Sequence, residues 1–200
     1  MSDRRRIVIG TRNKKKLVEI ERLLDGLPVD LSLVEEYPLV KDVEETETTF
    51  AGNAALKATE VAAATGEWVV ADDSGLEVDA LDGRPGIFSA RYAGPDQDDR
   101  RNIAKVLSEM KDVPPPQRTA RFLCAIALAA PDKLLFVVEE VCEGVLTAEP
   151  RGESGFGYDP IFVPEGHDRT FAELGAEIKD RLSHRGKALH RFREELEKLL

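Results

Sequence analysis

The sequence predicts a mixed α/β fold, in which helices flank a mixed β-sheet, and three features indicate it. The short apolar strand "RIVIG" leads through a turn into a segment of helical periodicity that ends near Gly26. Two apolar runs, at 119–130 and 134–146, are separated only by the turn "PDK" and predict a hairpin. Apolar residues recur at helical spacing after Ser183. Because no repeat or low-complexity linker interrupts the pattern, we expect residues 1–200 to form a single domain.

The remaining elements follow between these segments. The run "VVADDSG" predicts a buried strand that stops at two adjacent carboxylates, Asp72 and Asp73, where the chain turns. Further elements are a strand near 30–35, a helix from about Thr48 to Thr65 ending at Gly66, a loop rich in glycine and proline at 81–96, and a helix near 98–110.

Composition is that of an ordinary globular protein, with 42% hydrophobic residues, 33% charged residues and a mean hydropathy of -0.30. No apolar stretch reaches the roughly 18 residues of a membrane span, and "MSDRRRIVIG" lacks the apolar centre of a signal peptide, so we expect a cytoplasmic protein. Cys124 and Cys142 lie in predicted strands and are interpreted as small buried hydrophobes.

The charge balance restricts the partners. Lys and Arg number 28 against 38 Asp and Glu, and the net charge of -10 opposes nonspecific binding to nucleic acid, in which phosphate contacts dominate. An acidic chain that binds a small polyanion must concentrate its positive charge locally. The segment "GTRNKKK" at 10–16 does so where a strand becomes a helix, and exposed backbone N–H groups and the helix dipole favour an anion there. A solvated basic first turn explains the same residues.

Two acidic segments, "EET" at 44–46 and "DDSG" at 72–75, could hold a hard divalent cation, because Mg²⁺ commonly takes one or two carboxylates together with phosphates. Neighbouring residues of a strand point to opposite faces, so we expect only one of Asp72 and Asp73 to enter a binding site. A helix cap or a solvated loop would also account for these carboxylates.

Two further segments indicate a base-binding surface. In "SGFGYDP" the glycines allow a ligand to approach the backbone, while Phe156 and Tyr158 offer flat faces on which a base could stack. In "LSHRGKAL" we expect Ser183 to cap the last helix and to place His184 and Arg185 in its first turn. Packing of the aromatics on the core and a surface histidine are the alternatives. Since no GxSxG, HExxH or P-loop motif occurs, water is the expected nucleophile.

These motifs together resemble the inosine triphosphate pyrophosphatase family. The resemblance covers nearly the whole chain in the order "GTRNKKKL", "EETETTFAGNAALKA", "ADDSGLEVDALDGRPGIFSARYAG", "SGFGYDPIF", "TFAEL" and "LSHRGKAL". It implies hydrolysis of ITP, dITP and XTP to the monophosphate and pyrophosphate with Mg²⁺. It also implies an elongated α/β fold of two lobes with the active-site cleft between them, and a homodimer.

The resemblance also assigns residues. It implies Asp73 as the catalytic aspartate and as a metal ligand, and Glu45 as the second metal-side carboxylate, with Glu44 close enough to be an alternative. The substrate-binding residues implied are Thr11, Arg12, Asn13, Lys14, Lys15, Lys16, Lys57, Ser74, Phe156, Gly157, Tyr158, Asp159, Lys179, His184 and Arg185. Gly52 stands where the family often has a glutamate, which removes a carboxylate there and leaves Asn53 and Lys57 available.

The mechanism expected from this resemblance has Asp73 accept a proton from, or orient, a water that attacks the α-phosphorus. His184, Arg185 and backbone N–H groups near Phe156 are the expected donors to the 6-oxo group of the base.

Three rival functions remain at this point: a pyrophosphatase for thymidine or modified pyrimidine triphosphates, a noncatalytic nucleotide-binding module, and a binder of single-stranded RNA. The paired acidic segments favour an enzyme over the module, and the acidic balance with 6% aromatic residues disfavours the RNA binder.

Overall fold

The computed structural model describes residues 4–12 and 14–200, which form six α-helices and one six-stranded sheet in the order β2-β1-β3-β4-β5-β6. The strands are β1 Arg5–Ile9, β2 Val29–Leu33, β3 Trp68–Val78, β4 Thr119–Ala130, β5 Lys133–Leu146 and β6 Phe162–Pro164. The helices are α1 Lys14–Leu24, α2 Phe50–Thr65, α3 Asp99–Glu109, α4 Phe171–Leu174, α5 Ala176–Leu182 and α6 His184–Glu197. The sheet is mixed, since β1 pairs in parallel with β2 and β3 whereas β5 and β6 are antiparallel. The predicted α/β class is therefore confirmed.

The chain divides into two compact units. Unit 1 comprises the described residues of Met1–Asp73 together with Ala125–Glu139 and Ala188–Leu200. Unit 2 comprises Ser74–Cys124 and Glu140–Lys187. The division between Asp73 and Ser74 falls inside β3, so that this strand contributes residues to both units.

In unit 1, strand β1 is a buried element and helix α2 has a clear signal at each end. The side chains of Ile7, Val8 and Ile9 are fully buried, as expected for a parallel strand that has a neighbour on each side. Helix α2 begins two residues later than predicted because Thr49 is its N-cap, with Oγ1 accepting a hydrogen bond from the backbone N–H of Gly52. The helix ends at Gly66, whose φ of +73° is the left-handed conformation typical of a C-cap.

In unit 2, a hydrophobic core surrounds the ring of Phe122, which lies 4.5 Å from the ring of Phe162 between centroids. Cys142 belongs to this core, and Cys124 is also buried, as predicted for both cysteines. Arg118 is a buried charge beside the core, and its guanidinium donates to the backbone carbonyls of four residues: Met110, Val113, Leu146 and Thr147. These bonds offset the cost of burying the charge and connect the end of α3 to the end of β5.

Candidate active site

Strand β3 carries the paired carboxylates, and it does not stop at them. It runs without interruption from Trp68 to Val78, so the prediction that the strand ends at Asp72 and Asp73 was wrong. Both carboxylates are buried inside the strand. The chain can keep them there because each one meets a lysine, which offsets the cost of removing the charge from water.

The two carboxylates have different partners in unit 1. Asp72 forms an ion pair with Lys16, in the first turn of α1, with Nζ 2.7 Å from Oδ2. Asp73 accepts a hydrogen bond from Nδ2 of Asn53 at 3.2 Å and lies 3.7 Å from Nζ of Lys57. The alternation of a strand thus separates the pair, as expected from its geometry.

Lys57 joins Asp73 to the acidic segment that precedes α2. Its Nζ donates to Oε1 of Glu45 at 3.0 Å while facing Oδ1 of Asp73, so one ammonium group serves two carboxylates. Glu44 is exposed, whereas Glu45 is partly buried. Of the two glutamates left open by the sequence, the structure therefore brings Glu45 to Asp73.

Burial and charge act on both groups of this cluster. Desolvation raises the pKa of Asp73 and the charge of Glu45 raises it further, against the opposing effect of Lys57. Desolvation lowers the pKa of Lys57, but the charges of Asp73, Asp72 and Glu45 outweigh it and leave that pKa raised. The carboxylates of Asp73 and Glu45 therefore surround an ammonium group, that of Lys57, whose pKa is raised.

The basic segment after β1 is only partly described. Asn13 lies outside the described residues, as do the side chains of Lys14 and Lys15, which belong to the first turn of α1. Arg12 forms an ion pair with Asp42, with Nε 2.8 Å from Oδ1, and donates to the carbonyl of Val40. The structure therefore places Lys16 in the cluster and directs Arg12 toward the loop before α2. Thr11, directly before Arg12, is half-buried.

Gly52 occupies a crowded position in the first turn of α2. A Cβ atom there would lie 2.8 Å from Cβ of Glu47 and 3.0 Å from Oγ1 of Thr49. A side chain at this position would therefore disturb the N-cap and the segment that carries Glu45.

In unit 2, Phe156 is flanked by two cations. Nζ of Lys179 lies 4.2 Å from the centre of its ring, and the guanidinium carbon of Arg185 lies 5.6 Å from it. Arg185 also donates from Nη2 to Oγ of Ser74 at 2.8 Å. Three of the predicted base-binding residues are thus neighbours in unit 2, namely Phe156, Lys179 and Arg185, and Ser74 bonds the last of them.

The buried carboxylate of Asp159 holds both Lys179 and Phe156. It is buried, and its Oδ2 accepts both the ammonium of Lys179 at 2.5 Å and the backbone N–H of Phe156 at 2.9 Å. The next backbone N–H, that of Gly157, donates to Oδ2 of Asp99 at 2.7 Å. The backbone N–H groups of Phe156 and Gly157 are therefore both engaged within the protein.

Tyr158 does not offer an open stacking face, and that prediction was wrong. Its ring belongs to the core of unit 2, and its hydroxyl donates to the carbonyl of Ser89 at 2.8 Å. The physical reason is the turn around Gly157, whose φ of +58° separates the directions of the two aromatic rings. Of the two aromatic residues, Phe156 is the one that is partly exposed.

The start of α6 is organised as the sequence predicts. Oγ of Ser183 accepts the backbone N–H of Gly186 at 3.1 Å, so that His184 and Arg185 occupy the first turn. The imidazole of His184 stacks on Phe122, with ring centres 4.8 Å apart and an angle of 15° between the planes. Packing thus holds His184 while the cap orients Arg185.

Sequence reasoning assigned no role to two residues that the structure brings into these clusters. Asn53 bonds Asp73 in unit 1, and Asp99 holds Gly157 in unit 2. Asn53 lies within the motif "EETETTFAGNAALKA" and was left available without a task, whereas no sequence motif distinguished Asp99. A buried position in the first turn of a helix beside a charged strand was the available signal for Asn53.

Across the described residues, no helix has the length and apolar character required to cross a membrane.

Comparison with known proteins places the fold and the motifs in one family. The model of the Ham1 family matches residues 7–195. A dITP/XTP pyrophosphatase from Halalkalibacterium halodurans is 52% identical over 182 residues, which is 91% of this chain and 94% of that protein. The dITP/XTP pyrophosphatase of Bacillus subtilis is 47% identical over 190 residues, or 95% of this chain and 96% of that protein.

Solved structures agree with these sequence matches. A HAM1 protein from Coxiella burnetii has a TM-score of 0.91 at 41% identity, covering 97% of this chain and 99% of that one. A nucleoside-triphosphatase, or dITP/XTP pyrophosphatase, from Mycobacterium abscessus has a TM-score of 0.81 at 44% identity, covering 94% and 97%. The relationship predicted from the motifs is confirmed, and the chain belongs to the Ham1 family.

Proposed function

We propose that this protein hydrolyses purine nucleoside triphosphates with non-standard bases, namely dITP, XTP and ITP, to the monophosphate and pyrophosphate. Such an enzyme removes these nucleotides before they enter DNA or RNA. The observation that carries the proposal is the partly buried cluster in which Nζ of Lys57 contacts the carboxylates of both Glu45 and Asp73. Relatives that match nearly the whole chain and are named dITP/XTP pyrophosphatase support the same activity.

The donor set of this cluster fits Mg²⁺. Within the part of the chain that the structure describes, no group of three or more His, Cys, Asp or Glu side chains is placed to hold a metal ion. Mg²⁺ does not require such a cage, since it commonly binds one or two carboxylates and completes its shell with waters and substrate phosphates. Asp73 and Glu45 would hold it here. When bound, the ion neutralises charge on the phosphate oxygens.

Each residue of the cluster then has a defined task. Asp73 accepts a proton from the attacking water, and the oxygen of that water forms a bond to the α-phosphorus. The bond between the α-phosphorus and the bridging oxygen breaks, which releases pyrophosphate. Lys57 and Lys16 place positive charge against the triphosphate. Asp72 neutralises Lys16 in the absence of substrate and is not itself assigned a catalytic role.

Base selection is assigned to unit 2. Phe156 would stack on the base, a contact worth about 1–3 kcal/mol in nucleic-acid complexes. The side chains of His184, Arg185 and Lys179 would donate to the 6-oxo group of the base, and the backbone N–H groups of Phe156 and Gly157 remain bonded to Asp159 and Asp99. An adenine base presents a 6-amino donor instead and leaves these groups unpaired, which can cost about 10⁴-fold in kcat/KM.

A substrate panel tests the proposal. The protein is incubated with dITP, XTP, ITP, GTP, ATP and dTTP, with and without Mg²⁺, and pyrophosphate and nucleoside monophosphate are measured. We expect metal-dependent release from the first three only. Tight binding without release would favour a nucleotide-binding module, and strong release from dTTP would favour a pyrimidine pyrophosphatase. The cytoplasmic location, the homodimer and the single domain remain predictions that accompany this activity.

A further inference from the structure

Asn53 is a fully buried amide in the first turn of α2, and both of its polar atoms are used. Its Oδ1 accepts the backbone N–H of Glu47 at 3.0 Å, and its Nδ2 donates to Oδ2 of Asp73 at 3.2 Å. Because a backbone N–H can bond only the oxygen of the amide, the nitrogen must face Asp73. The orientation of the amide is therefore fixed by the chain itself.

This amide connects three segments of unit 1. It ties the acidic segment before α2, through Glu47, to the first turn of α2 and to strand β3 at Asp73. A buried amide with both ends paired resists rotation, since breaking either bond leaves a buried polar group unsatisfied at a cost of about 1–3 kcal/mol. The segment that carries Glu45 is thereby held in register with Asp73.

Helix α2 presents two donors to the same carboxylate. Asn53 and Lys57 are four residues apart and lie on one face of the helix. Asn53 bonds Oδ2 of Asp73, whereas Lys57 faces Oδ1. The two oxygens of Asp73 are thus distinguished by the helix, and the plane of the carboxylate is set by two contacts instead of one.

We propose that Asn53 is a positioning residue that fixes the carboxylate of Asp73 and holds it relative to Glu45. The inference rests on the proposed function, because it assigns Asn53 a task in the reaction of Asp73. Asn53 contributes by orienting the carboxylate toward the water and the phosphate chain, and it touches neither of them itself. Losses of about 10-fold to 100-fold in activity are typical when a residue that orients a site carboxylate is removed.

A purely structural amide gives a matched control. Asn102 in α3 is equally buried, and its amide also bridges two backbone groups, accepting the N–H of Ala93 at 2.7 Å and donating to the carbonyl of Ala90 at 2.9 Å. Neither of these two partners, Ala93 and Ala90, is assigned to the site. Asn102→Ala should therefore lower the melting temperature as Asn53→Ala does, but should leave kcat within about twofold.

The test compares Asn53→Ala, Asn53→Asp and Asn102→Ala by steady-state kinetics on dITP and by crystallography. Asn53→Asp keeps the volume and the acceptor for Glu47 but loses the donor to Asp73, so it remains informative if the alanine variant fails to fold. We expect kcat to fall by about 10-fold to 100-fold in both Asn53 variants with KM changed less than about threefold, and the carboxylate of Asp73 to rotate.

Two results would overturn the inference. One is a kcat of Asn53→Asp equal to that of Asn102→Ala, and the other is an Asp73 side chain in the Asn53 variants with unchanged torsion angles. The crystallographic result does not depend on the substrate. If the wild-type protein fails to release pyrophosphate from dITP, the proposed function fails, while the position of Asp73 in the variants still decides the role of Asn53.

Discussion

Lys16 and Asp72 form an ion pair in which Nζ lies 2.7 Å from Oδ2, with the carboxylate side chain 3% exposed and the lysine side chain 17% exposed. The pair joins the first turn of α1 to the middle of β3. Removing one member of a buried pair leaves the other charge uncompensated, which is a large destabilisation.

The first prediction follows from this pair. Asp72→Ala should lower the free energy of unfolding by about 3 kcal/mol, measured by urea denaturation. The control is Asp42→Ala, because Asp42 pairs with Arg12 at a similar distance of 2.8 Å but is 84% exposed. We expect the control to lose less than about 1 kcal/mol. If the two variants lose equal amounts of unfolding free energy, the burial of the Lys16–Asp72 pair does not add to its contribution to stability.

The second prediction concerns Gly155, whose φ is +83°. A Cβ atom there would collide with the carboxylate of Asp159, which holds Lys179 and Phe156. Gly155→Ala should therefore raise KM for dITP at least about tenfold in steady-state assays. Gly166→Ala is the control, because its φ of +80° imposes the same backbone strain with no atom within 4 Å of the new Cβ. If both variants keep the wild-type KM, Asp159 does not organise base binding.

The third prediction concerns Ser74, whose Oγ accepts Nη2 of Arg185 at 2.8 Å. Ser74→Ala removes the acceptor that orients the guanidinium, and a hydrogen bond to a charged group contributes about 1.5–3 kcal/mol. The ratio of kcat/KM for dITP to that for dATP should fall at least about tenfold. Ser108→Ala, at an exposed position of α3, should leave the ratio unchanged. If the ratio is unchanged in Ser74→Ala, the orientation of Arg185 by Ser74 does not contribute to the selection of the base.

The fourth prediction concerns Glu173 at the start of α4. Its Oε2 accepts the backbone N–H of Thr170 at 2.8 Å, and this bond, aided by Arg151 and Arg169, lowers the pKa of the carboxyl. Because the folded pKa is lowered, the stabilisation is present above the ordinary pKa of glutamate and is lost as the pH falls through the folded value. Melting temperatures measured from about pH 7 to about pH 3 should fall less steeply for Glu173→Gln than for wild type. Parallel curves would contradict this.

The sequence predicted the elements whose pattern is local. Helices α1, α2, α3 and α6 follow from periodicity and helix-end residues, with Ser183 as the predicted cap of α6. The hairpin of β4 and β5 follows from two apolar runs around a short turn. Short elements such as α4, α5 and β6 were missed, because a few residues do not establish a period.

The remaining differences depend on contacts distant in sequence. Strand β3 continues through Asp72 because Lys16 offsets its charge, and no local pattern reveals that pairing. Tyr158 is buried because Ser89 provides a carbonyl for its hydroxyl. Asn53 and Asp99 acquire their tasks only when α2 and α3 are in place, so residue type alone did not distinguish them.

The most direct test measures products from dITP for the wild-type protein and for Asp73→Asn in parallel, with circular dichroism to confirm that both are folded. We expect equal amounts of dIMP and pyrophosphate from the wild type. The rate of pyrophosphate release should be at least about 10³-fold lower in the variant. Release of orthophosphate and dIDP by the wild type, or near-normal pyrophosphate release by a folded Asp73→Asn, would contradict it.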